Sequence, residues 1–224
     1  MSYEDIYKNI QNLDWKAPDS LASFLRAEVF EHSRVGPISK VLECGCGMGS
    51  VFESPDLSPL QIIPDAVDIS ESAIEHAKSR GVLGNFQAAD VTKPEFFLGN
   101  LYDLIVDSHL FHCLVRPSQR EAYLKNVIKH LKPESGIFAL ETMVSHKKMS
   151  IDGYDQLTGT LGGEYGRKIF NQLEIEQELL ASGLRIEFLI FSSGLNMIPV
   201  HGRDETLLSD PQVVRALCSF NPDC

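Results

Sequence analysis

The chain has 224 residues, a net charge of −11 and a pI near 5.0, so the basic face of a nucleic-acid-binding protein is not expected. Hydrophobic residues make up 43% and charged residues 23%, which is typical of a globular protein with a full core and favours one compact domain. Without a membrane-length apolar run or a signal-peptide pattern, and with an odd number of scattered cysteines, we expect a cytoplasmic protein with free thiols and no membrane contact.

The first 35 residues predict two helices. Ile6, Ile10 and Leu13 recur at helical spacing, and Trp15 and Pro18 end that pattern. A second helix is predicted over 20–32, with Asp19 or Ser20 as its cap. Packing of these helices on the edge of a sheet is one expectation for them.

Residues 38–50, ISKVLECGCGMGS, predict a short buried strand followed by a glycine loop. Gly45, Gly47 and Gly49 lack β-carbons, so a ligand could lie directly on the backbone. The dinucleotide fingerprint would need a further glycine at Ser50, whereas the pattern acid-x-Gly-x-Gly-x-Gly is complete from Glu43 onward. A tight turn without a ligand remains an alternative. The two cysteines in the loop are interpreted as small residues rather than half a zinc site, because no second Cys or His pair follows at zinc spacing.

Two further strands are predicted to end in acids. Pro55 and Pro59 must shorten or break any helix after the glycine loop. Residues 61–69 predict a strand that ends at Asp68, about 20 residues beyond the loop, which is the spacing of a ribose-binding acid in nucleotide folds. A helix is expected over 70–80, and residues 85–90 predict a third strand that ends in Asp90.

The fourth strand, over 101–109, is the predicted active edge. Its apolar run suits a parallel strand that is covered on both faces, and Asp107 and Ser108 follow the run. His109 and His112 come next, at the carboxyl end where open α/β sheets bind ligands. One of the two histidines is expected to touch substrate and act as a base, because histidine titrates near neutrality.

The remaining elements are predicted as a helix, a strand, an irregular segment, a second helix and a hairpin. The helix is capped by Ser118 with Glu121 and leads to a strand over 137–140. The irregular segment is interpreted as a substrate loop. The last helix is capped by Asn171. The irregular segment spans 143–167, the hairpin pairs 185–191 with 195–200, and a short helix and tail occupy 203–224.

The glycine loop, Asp68, Asp90 and the pair Asp107-Ser108, in this order, resemble the motifs of class I S-adenosylmethionine-dependent methyltransferases of the small-molecule kind. The resemblance implies an α/β, Rossmann-like, doubly wound seven-stranded mixed sheet with the last strand antiparallel, plus N-terminal helices. It also implies S-adenosylmethionine as cofactor and a domain over 36–202. The helices over 1–35 then become a possible substrate lid.

The same resemblance implies the roles of individual residues. Glu43 would face the methionine ammonium, the loop backbone the methionine portion, Asp68 the ribose and Asp90 the adenine. His109 and His112 are the catalytic candidates. The cofactor-binding candidates are Glu43, Gly45, Cys46, Gly47, Gly49, Asp68, Ile69, Asp90, Val91, Asp107 and Ser108, and the substrate-binding candidates are His146, Tyr154, Tyr165 and Arg167.

Three alternatives to a small-molecule methyltransferase stay open. The chain could methylate a protein or RNA, although the negative charge disfavours RNA. It could be an NAD-dependent oxidoreductase, which Ser50 in the glycine loop disfavours, or a non-catalytic protein with the same fold. The sequence also lacks the Asn/Asp-Pro-Pro-Tyr tetrapeptide of enzymes that methylate adenine or glutamine nitrogens.

Overall fold

The computed structural model describes residues 3–9, 16–31, 38–94, 100–145, 153–162, 166–192 and 212–220. The helices are α1 Tyr3–Lys8, α2 Asp19–Phe24, α3 Glu71–Ser79, α4 Pro117–His130 and α5 Gln172–Ala181. The strands are β1 Val41–Cys44, β2 Asp65–Asp68, β3 Asn85–Ala88, β4 Leu104–Ser108, β5 Ile137–Val144, β6 Tyr154–Asp155, β7 Thr160–Leu161, β8 Arg167–Lys168, β9 Leu184–Ser192 and β10 Gln212–Phe220. None of the helices within the described ranges has the length and apolar character that a membrane crossing requires.

Seven strands form one mixed sheet in the order β3-β2-β1-β4-β5-β10-β9. The first five pair in parallel, and β10 is antiparallel to both β5 and β9. The apolar residues of β4, Leu104 to Val106, are fully buried, as expected for a central strand with helices on both faces. The predicted fold class, with its antiparallel last strand, is confirmed.

The predicted hairpin and tail at the carboxyl end need a correction. The strand that pairs with β9 is β10, so residues 212–220 form a nine-residue strand in the sheet and not a helix or tail. The predicted partner strand over 195–200 lies outside the described residues. Because β10 is covered on both faces, its apolar residues do not alternate with polar ones as they do in a half-exposed strand. Its buried residues are Val213, Val214, Ala216, Leu217 and Cys218.

The segment over 143–167 is more regular than predicted. Within it, β6, β7 and β8 form a small antiparallel sheet between β5 and α5. The two ends of this insertion are held together, because Ser145 N–H donates to Phe170 O at 2.8 Å and Phe170 N–H donates to Met143 O at 3.3 Å. Residues 146–152 and 163–165 lie outside the described residues.

The N-terminal half follows the predicted elements with local differences. α2 begins directly after Pro18 without a side-chain cap, so neither Asp19 nor Ser20 is the cap, and it continues as a π-helix over Leu25–Phe30. The prolines after the glycine loop have the predicted effect, since the chain forms only two 3₁₀ turns there, Val51–Glu53 and Ser58–Leu60.

The two later helices differ in how they begin. α5 has the predicted cap, with Asn171 Oδ1 accepting from Glu174 N–H and the Glu174 carboxylate accepting from Asn171 N–H. The cap predicted at Ser118 is wrong, because α4 already starts at Pro117. Proline suits the first helical position, which needs no N–H donor. The four cysteines among the described residues, Cys44, Cys46, Cys113 and Cys218, are free thiols.

Candidate active site

The glycine loop joins β1 to the neighbouring strands at their carboxyl ends. Gly45 has φ +80° and Gly47 has φ +58°, a region that favours glycine, whereas Gly49 has no positive φ. Gly45 N–H and Cys46 N–H both donate to Val67 O on β2, at 2.7 and 3.1 Å. A β-carbon on Gly45 would lie 2.8 Å from Leu110 Cβ, so the loop touches the turn that follows β4. Gly45 and Gly47 are thus required by backbone conformation and close approach.

Asp68 lies at the end of β2 and holds the glycine loop to α3. Its Oδ2 accepts from Gly47 N–H at 2.9 Å and its Oδ1 accepts from Ser70 N–H at 3.0 Å. Burial raises the pKa of Asp68, although these backbone hydrogen bonds act in the opposite direction. The next side chain, Ile69, is 58% exposed. The ribose-binding role of Asp68 and the cofactor contact of Ile69 stay predictions.

Glu43 is buried beneath the same loop. Its Oε1 accepts from Val51 N–H at 3.0 Å and its Oε2 accepts from the Ser50 hydroxyl. Burial raises the pKa of Glu43 to about 7, against hydrogen bonds that lower it. Ser50 Oγ also accepts from Phe52 N–H, at 3.2 Å. Position 50 therefore uses a hydroxyl where the dinucleotide fingerprint requires glycine, and a contact of Glu43 with an ammonium group stays a prediction.

Asp90 and Val91 follow β3 in the predicted place. Asp90 Oδ1 accepts from Thr92 N–H at 2.9 Å and from the Thr92 hydroxyl at 2.6 Å, which forms a tight turn. Val91 is buried, and its carbonyl accepts from the Asn126 side chain at 2.8 Å. Asp90 Oδ2 has no hydrogen-bond partner among the described residues, which leaves it available to a ligand.

His109 stands at the carboxyl end of β4 and pairs with a buried acid. Its Nε2 lies 2.8 Å from Glu141 Oε1, and Glu141 is fully buried on β5. A carboxylate only accepts hydrogen bonds, so Nε2 carries the proton and Nδ1 is left as an acceptor. His109 also has φ +63°, an unfavourable value for a residue with a β-carbon.

Two further residues hold Glu141. Arg215 Nε on β10 donates to Glu141 Oε2 at 2.7 Å, and the Ser20 hydroxyl on α2 donates to the same oxygen at 2.8 Å. Burial raises the pKa of Glu141, but the hydrogen bonds from His109, Arg215 and Ser20 outweigh burial and bring the pKa below its usual value. Glu141 therefore stays ionised while it orients His109.

His112 has a different environment from His109. It is buried, and its Nδ1 lies 3.3 Å from the Thr142 hydroxyl. Burial lowers the pKa of His112 well below its usual value, and the positive charge of the nearby Arg167 adds to this effect. His112 is therefore neutral, and of the two predicted histidines only His109 has an orienting carboxylate.

Asp107 and Ser108 lie between the glycine loop and His109. Asp107 is fully buried, and its Oδ1 accepts from Leu110 N–H at 3.0 Å and from Phe111 N–H at 3.2 Å. Burial raises the pKa of Asp107 to about 7. The carbonyl of Ser108 would lie 3.3 Å from a β-carbon on Gly45. These contacts shape the turn after β4, and cofactor contacts of Asp107 and Ser108 stay predictions.

Helix α1 covers the glycine loop with residues that the sequence analysis missed. Glu4 accepts from the hydroxyls of Ser70 and Ser72 at the start of α3. The Tyr7 hydroxyl would lie 2.9 Å from a β-carbon on Gly47. Tyr3 is one turn before Tyr7, so the sequence signals this face as an i, i+4 pair of tyrosines.

Arg167 belongs to the same neighbourhood. It lies on β8, which packs against the 3₁₀ turn Phe111–Cys113 after His109. Its Nη1 donates to the Tyr3 hydroxyl at 3.2 Å and to Cys113 Sγ at 3.1 Å. The predicted Tyr154 lies on β6, and none of its described contacts reaches this cluster. The predicted His146 and Tyr165 lie outside the described residues.

Comparison with known proteins identifies relatives of part of the chain. Residues 41–134 match the family model described as a methyltransferase domain. Thiocyanate methyltransferase 1 of Brassica oleracea is 32% identical over 108 residues, which is 46% of this chain and 46% of that protein. Malonyl-acyl-carrier-protein O-methyltransferase of Bacillus cereus is 32% identical over 141 residues, 62% of this chain and 47% of that protein. The chain spans about half the length of these curated relatives.

Solved structures match nearly the whole chain. An S-adenosylmethionine-dependent methyltransferase from Clostridium acetobutylicum has a TM-score of 0.64 at 17% identity, over 97% of each chain. The PH0226 protein from Pyrococcus horikoshii has a TM-score of 0.67 at 19% identity, over 98% of this chain and 100% of that one. At this identity the likeness supports the fold.

Proposed function

We propose that this chain, whose residues 41–134 match the methyltransferase domain family and whose fold is similar to that of an S-adenosylmethionine-dependent methyltransferase, transfers a methyl group to an O, N or S atom of a small molecule. The observation that carries the proposal is the pair of His109 Nε2 and Glu141 Oε1 at 2.8 Å. His109 precedes Leu110, whose Cβ would lie 2.8 Å from a β-carbon on Gly45 in the glycine loop. We further propose that the protein acts in the cytoplasm.

The residues that would hold S-adenosylmethionine come from three strand ends. The backbone of Gly45 and Gly47 would support the methionine portion, Asp68 would accept from the ribose hydroxyls, and Asp90 would accept from the adenine amino group. Ile69 would supply an apolar surface to the adenosyl group, since more than half of its side chain is exposed. When bound, the cofactor would supply a methyl group activated by its sulfonium: the acceptor's nucleophile would bond to the methyl carbon in line with the breaking carbon–sulfur bond, whose electron pair stays on sulfur as a neutral thioether.

His109 would remove the proton that a hydroxyl, thiol or protonated amine loses during transfer. Its Nδ1 accepts the proton, and the charge that forms on the ring is balanced by Glu141. A positioned base of this kind contributes about 10²–10⁴ in rate. A nucleophile that is already deprotonated would not need it.

The other contribution of the protein would be alignment and exclusion of water. Alignment of a nucleophile with the methyl group can be worth about 7–11 kcal/mol of the barrier. Helix α1 lies over the glycine loop and is anchored to α3 by Glu4, so we propose that it closes over the bound cofactor and acceptor. The predicted role of the N-terminal helices as a lid becomes part of this proposal.

The names of the curated relatives give two different acceptors, thiocyanate and malonyl-acyl-carrier protein. The relatives therefore support a small acceptor group but do not select one, and the acceptor of this chain must be inferred from its own residues.

The proposal is tested first by calorimetric titration with S-adenosylmethionine and, separately, with NAD. We expect binding of the first and none of the second. Methyl transfer to a panel of small hydroxyl, thiol and amine compounds is then measured by mass spectrometry with the wild type, His109→Asn and the control His130→Asn. His130 is a buried histidine on α4 whose Nδ1 lies 2.7 Å from Asn126 O. Binding of NAD instead, or equal activity of both variants toward an acceptor that must lose a proton, would contradict the proposal.

A further inference from the structure

Arg167 is a half-buried guanidinium group without a carboxylate partner. No Asp or Glu within the described ranges lies within 4.0 Å of its nitrogens, and its two hydrogen bonds go to a phenol and a thiol. Burial of a positive charge is costly unless an opposite charge compensates it. The chain has more acids than bases, with a net charge of −11, so the lack of a carboxylate beside Arg167 is consistent with a carboxylate that comes from a ligand.

Two other arginines of the described chain, Arg120 and Arg215, do have a carboxylate partner. Arg120 is buried on α4, and its Nε and Nη2 both donate to the Glu178 carboxylate at 2.7 Å. Arg215 donates to Glu141 in the sheet. Elsewhere the fold therefore pairs a buried guanidinium with a carboxylate, and in the case of Arg120 with both carboxylate oxygens.

The unused donors of Arg167 lie along one edge of the guanidinium. Nη1 makes the contacts with Tyr3 and Cys113, whereas Nε and Nη2 have no hydrogen-bond partner among the described residues. Neither atom is among the fully buried polar atoms that lack a partner, so both remain accessible. The Nε–Nη2 edge is the one with which Arg120 binds Glu178, and it matches the spacing of the two oxygens of a carboxylate.

Arg167 is linked to the proposed catalytic residue through Cys113. Cys113 Sγ is 3.1 Å from Arg167 Nη1 and 3.5 Å from the carbonyl oxygen of His109. A small molecule held by Arg167 could therefore present a second group to His109.

We propose that Arg167 binds a carboxylate of the methyl acceptor through its Nε–Nη2 edge, so that the acceptor is a small acid whose nucleophile is a separate hydroxyl, thiol or amine facing His109. This inference rests on the proposed methyltransferase function. The carboxylate is the anchor and not the methylated atom, because bidentate pairing occupies its oxygens and because His109 serves only a nucleophile that carries a proton.

The test measures binding before it measures turnover. The protein is saturated with S-adenosylhomocysteine, and calorimetry compares three acid–amide pairs: 4-hydroxybenzoate and 4-hydroxybenzamide, 3-mercaptopropionate and 3-mercaptopropionamide, lactate and lactamide. In at least one pair we expect the acid to bind about tenfold or more tightly than its amide, as a charged hydrogen-bonded pair allows. Arg167→Met should remove this preference and leave the amide affinity unchanged.

Two further variants keep the experiment decisive. Arg167→Lys retains the charge but not the planar edge, so the affinity of this variant for the acid should fall about tenfold while its affinity for the amide is unchanged. Arg167→Lys replaces Arg167→Met in the experiment if the Met variant does not fold. Arg185→Met removes an exposed arginine on β9 and should change nothing. The proposal is overturned if no acid is preferred over its amide, or if the preference survives loss of Arg167.

Failure of the proposed function would look different. The wild type would then not bind S-adenosylhomocysteine or S-adenosylmethionine, a result obtained before any acid is added. The acid–amide titrations are repeated on cofactor-free protein, so that the preference for a carboxylate is measured even in that case.

Discussion

Replacement of Glu141 by Gln tests whether a carboxylate orients His109. The change keeps the shape of the side chain but removes its charge and replaces one acceptor oxygen with a donor. In the structure both oxygens face donors, His109 Nε2 at 2.8 Å on one side and Arg215 Nε at 2.7 Å with Ser20 Oγ at 2.8 Å on the other. The new amide N–H₂ must therefore face either a protonated ring nitrogen or a guanidinium.

The expected magnitudes follow from those contacts. Breaking a buried, hydrogen-bonded ion pair lowers the free energy of unfolding by about 3–5 kcal/mol. If the amide N–H₂ turns toward His109, Nε2 must become the acceptor and Nδ1 must carry the proton, so the ring can no longer accept one. The turnover number should then fall by about 10²–10⁴, the usual contribution of a general base. Affinity for S-adenosylmethionine should stay the same, because the hydrogen bonds of the Glu141 side chain go to His109, Arg215 and Ser20 and to none of the residues proposed to hold the cofactor.

The assay compares Glu141→Gln with Asp103→Asn. Asp103 is likewise a buried carboxylate with a charged partner, accepting from Lys132 Nζ at 2.6 Å, but it lies just before β4 at the opposite edge of the sheet. Both variants are measured for urea unfolding, cofactor affinity and turnover number per folded molecule. Nitrogen NMR of the His109 imidazole should show that the proton moves from Nε2 to Nδ1 in Glu141→Gln. A purely structural role of Glu141 would not cause this change.

Two results would refute the reasoning about Glu141. One is an unchanged turnover number in Glu141→Gln. The other is an equal loss per folded molecule in Glu141→Gln and Asp103→Asn, which would show that the effect is one of stability and not of the histidine.

Three further predictions concern the cofactor loop and acid stability. Asp68→Asn should weaken S-adenosylmethionine binding about 10- to 100-fold in calorimetry, because the charge that strengthens the ribose hydrogen bonds is lost; an unchanged affinity would contradict the ribose role. Gly47→Ala should lower both stability and cofactor affinity, since φ is +58° and the new methyl would lie 2.9 Å from the Tyr7 hydroxyl. In a double-mutant cycle, Tyr7→Phe should restore only the part of the lost stability and affinity that is due to the contact with that hydroxyl. Burial raises the pKa of Asp103, but hydrogen bonds led by that from Lys132 bring the pKa down to about 2 from an unfolded value of 3.8. The stabilisation by ionised Asp103 is therefore complete above pH 3.8 and is lost as the pH falls toward 2. The difference in urea midpoint between wild type and Asp103→Asn should shrink over that range, and a constant difference would contradict this prediction.

The parts of the fold that could be predicted from sequence are those encoded locally. The glycine loop, Asp68 and the histidines after β4 each follow an apolar run, and parallel strands bring their carboxyl ends to one edge of a sheet. The capping pair at Asn171 and Glu174 spans only four residues, and it is confirmed by reciprocal hydrogen bonds. In these cases the spacing along the chain already determines the geometry.

The remaining parts depend on contacts that are distant in sequence. Glu141 is the one charged residue in the sequence of β5, but its role depends on Ser20 and Arg215, which lie 121 and 74 positions away. Residues 212–220 cannot be told from a tail by periodicity, because a strand that is buried on both faces has no period of two. The apolar spacing that predicts the short helix α1 does not distinguish Tyr3 and Tyr7.

The site around His109 combines two features that oppose stability. A carboxylate inside a sheet requires several hydrogen bonds to offset its burial, and a packed apolar side chain of similar volume is often at least as stabilising. The positive φ of His109 costs about 1–2 kcal/mol for a residue with a β-carbon. Because Glu141 bonds to His109, Ser20 and Arg215, the strain and the buried charge are held in one network that joins α2, β4, β5 and β10. Packing alone would favour glycine at 109 and an apolar residue at 141, so the presence of His109 and Glu141 is better explained by chemistry at the end of β4 than by the stability of the sheet.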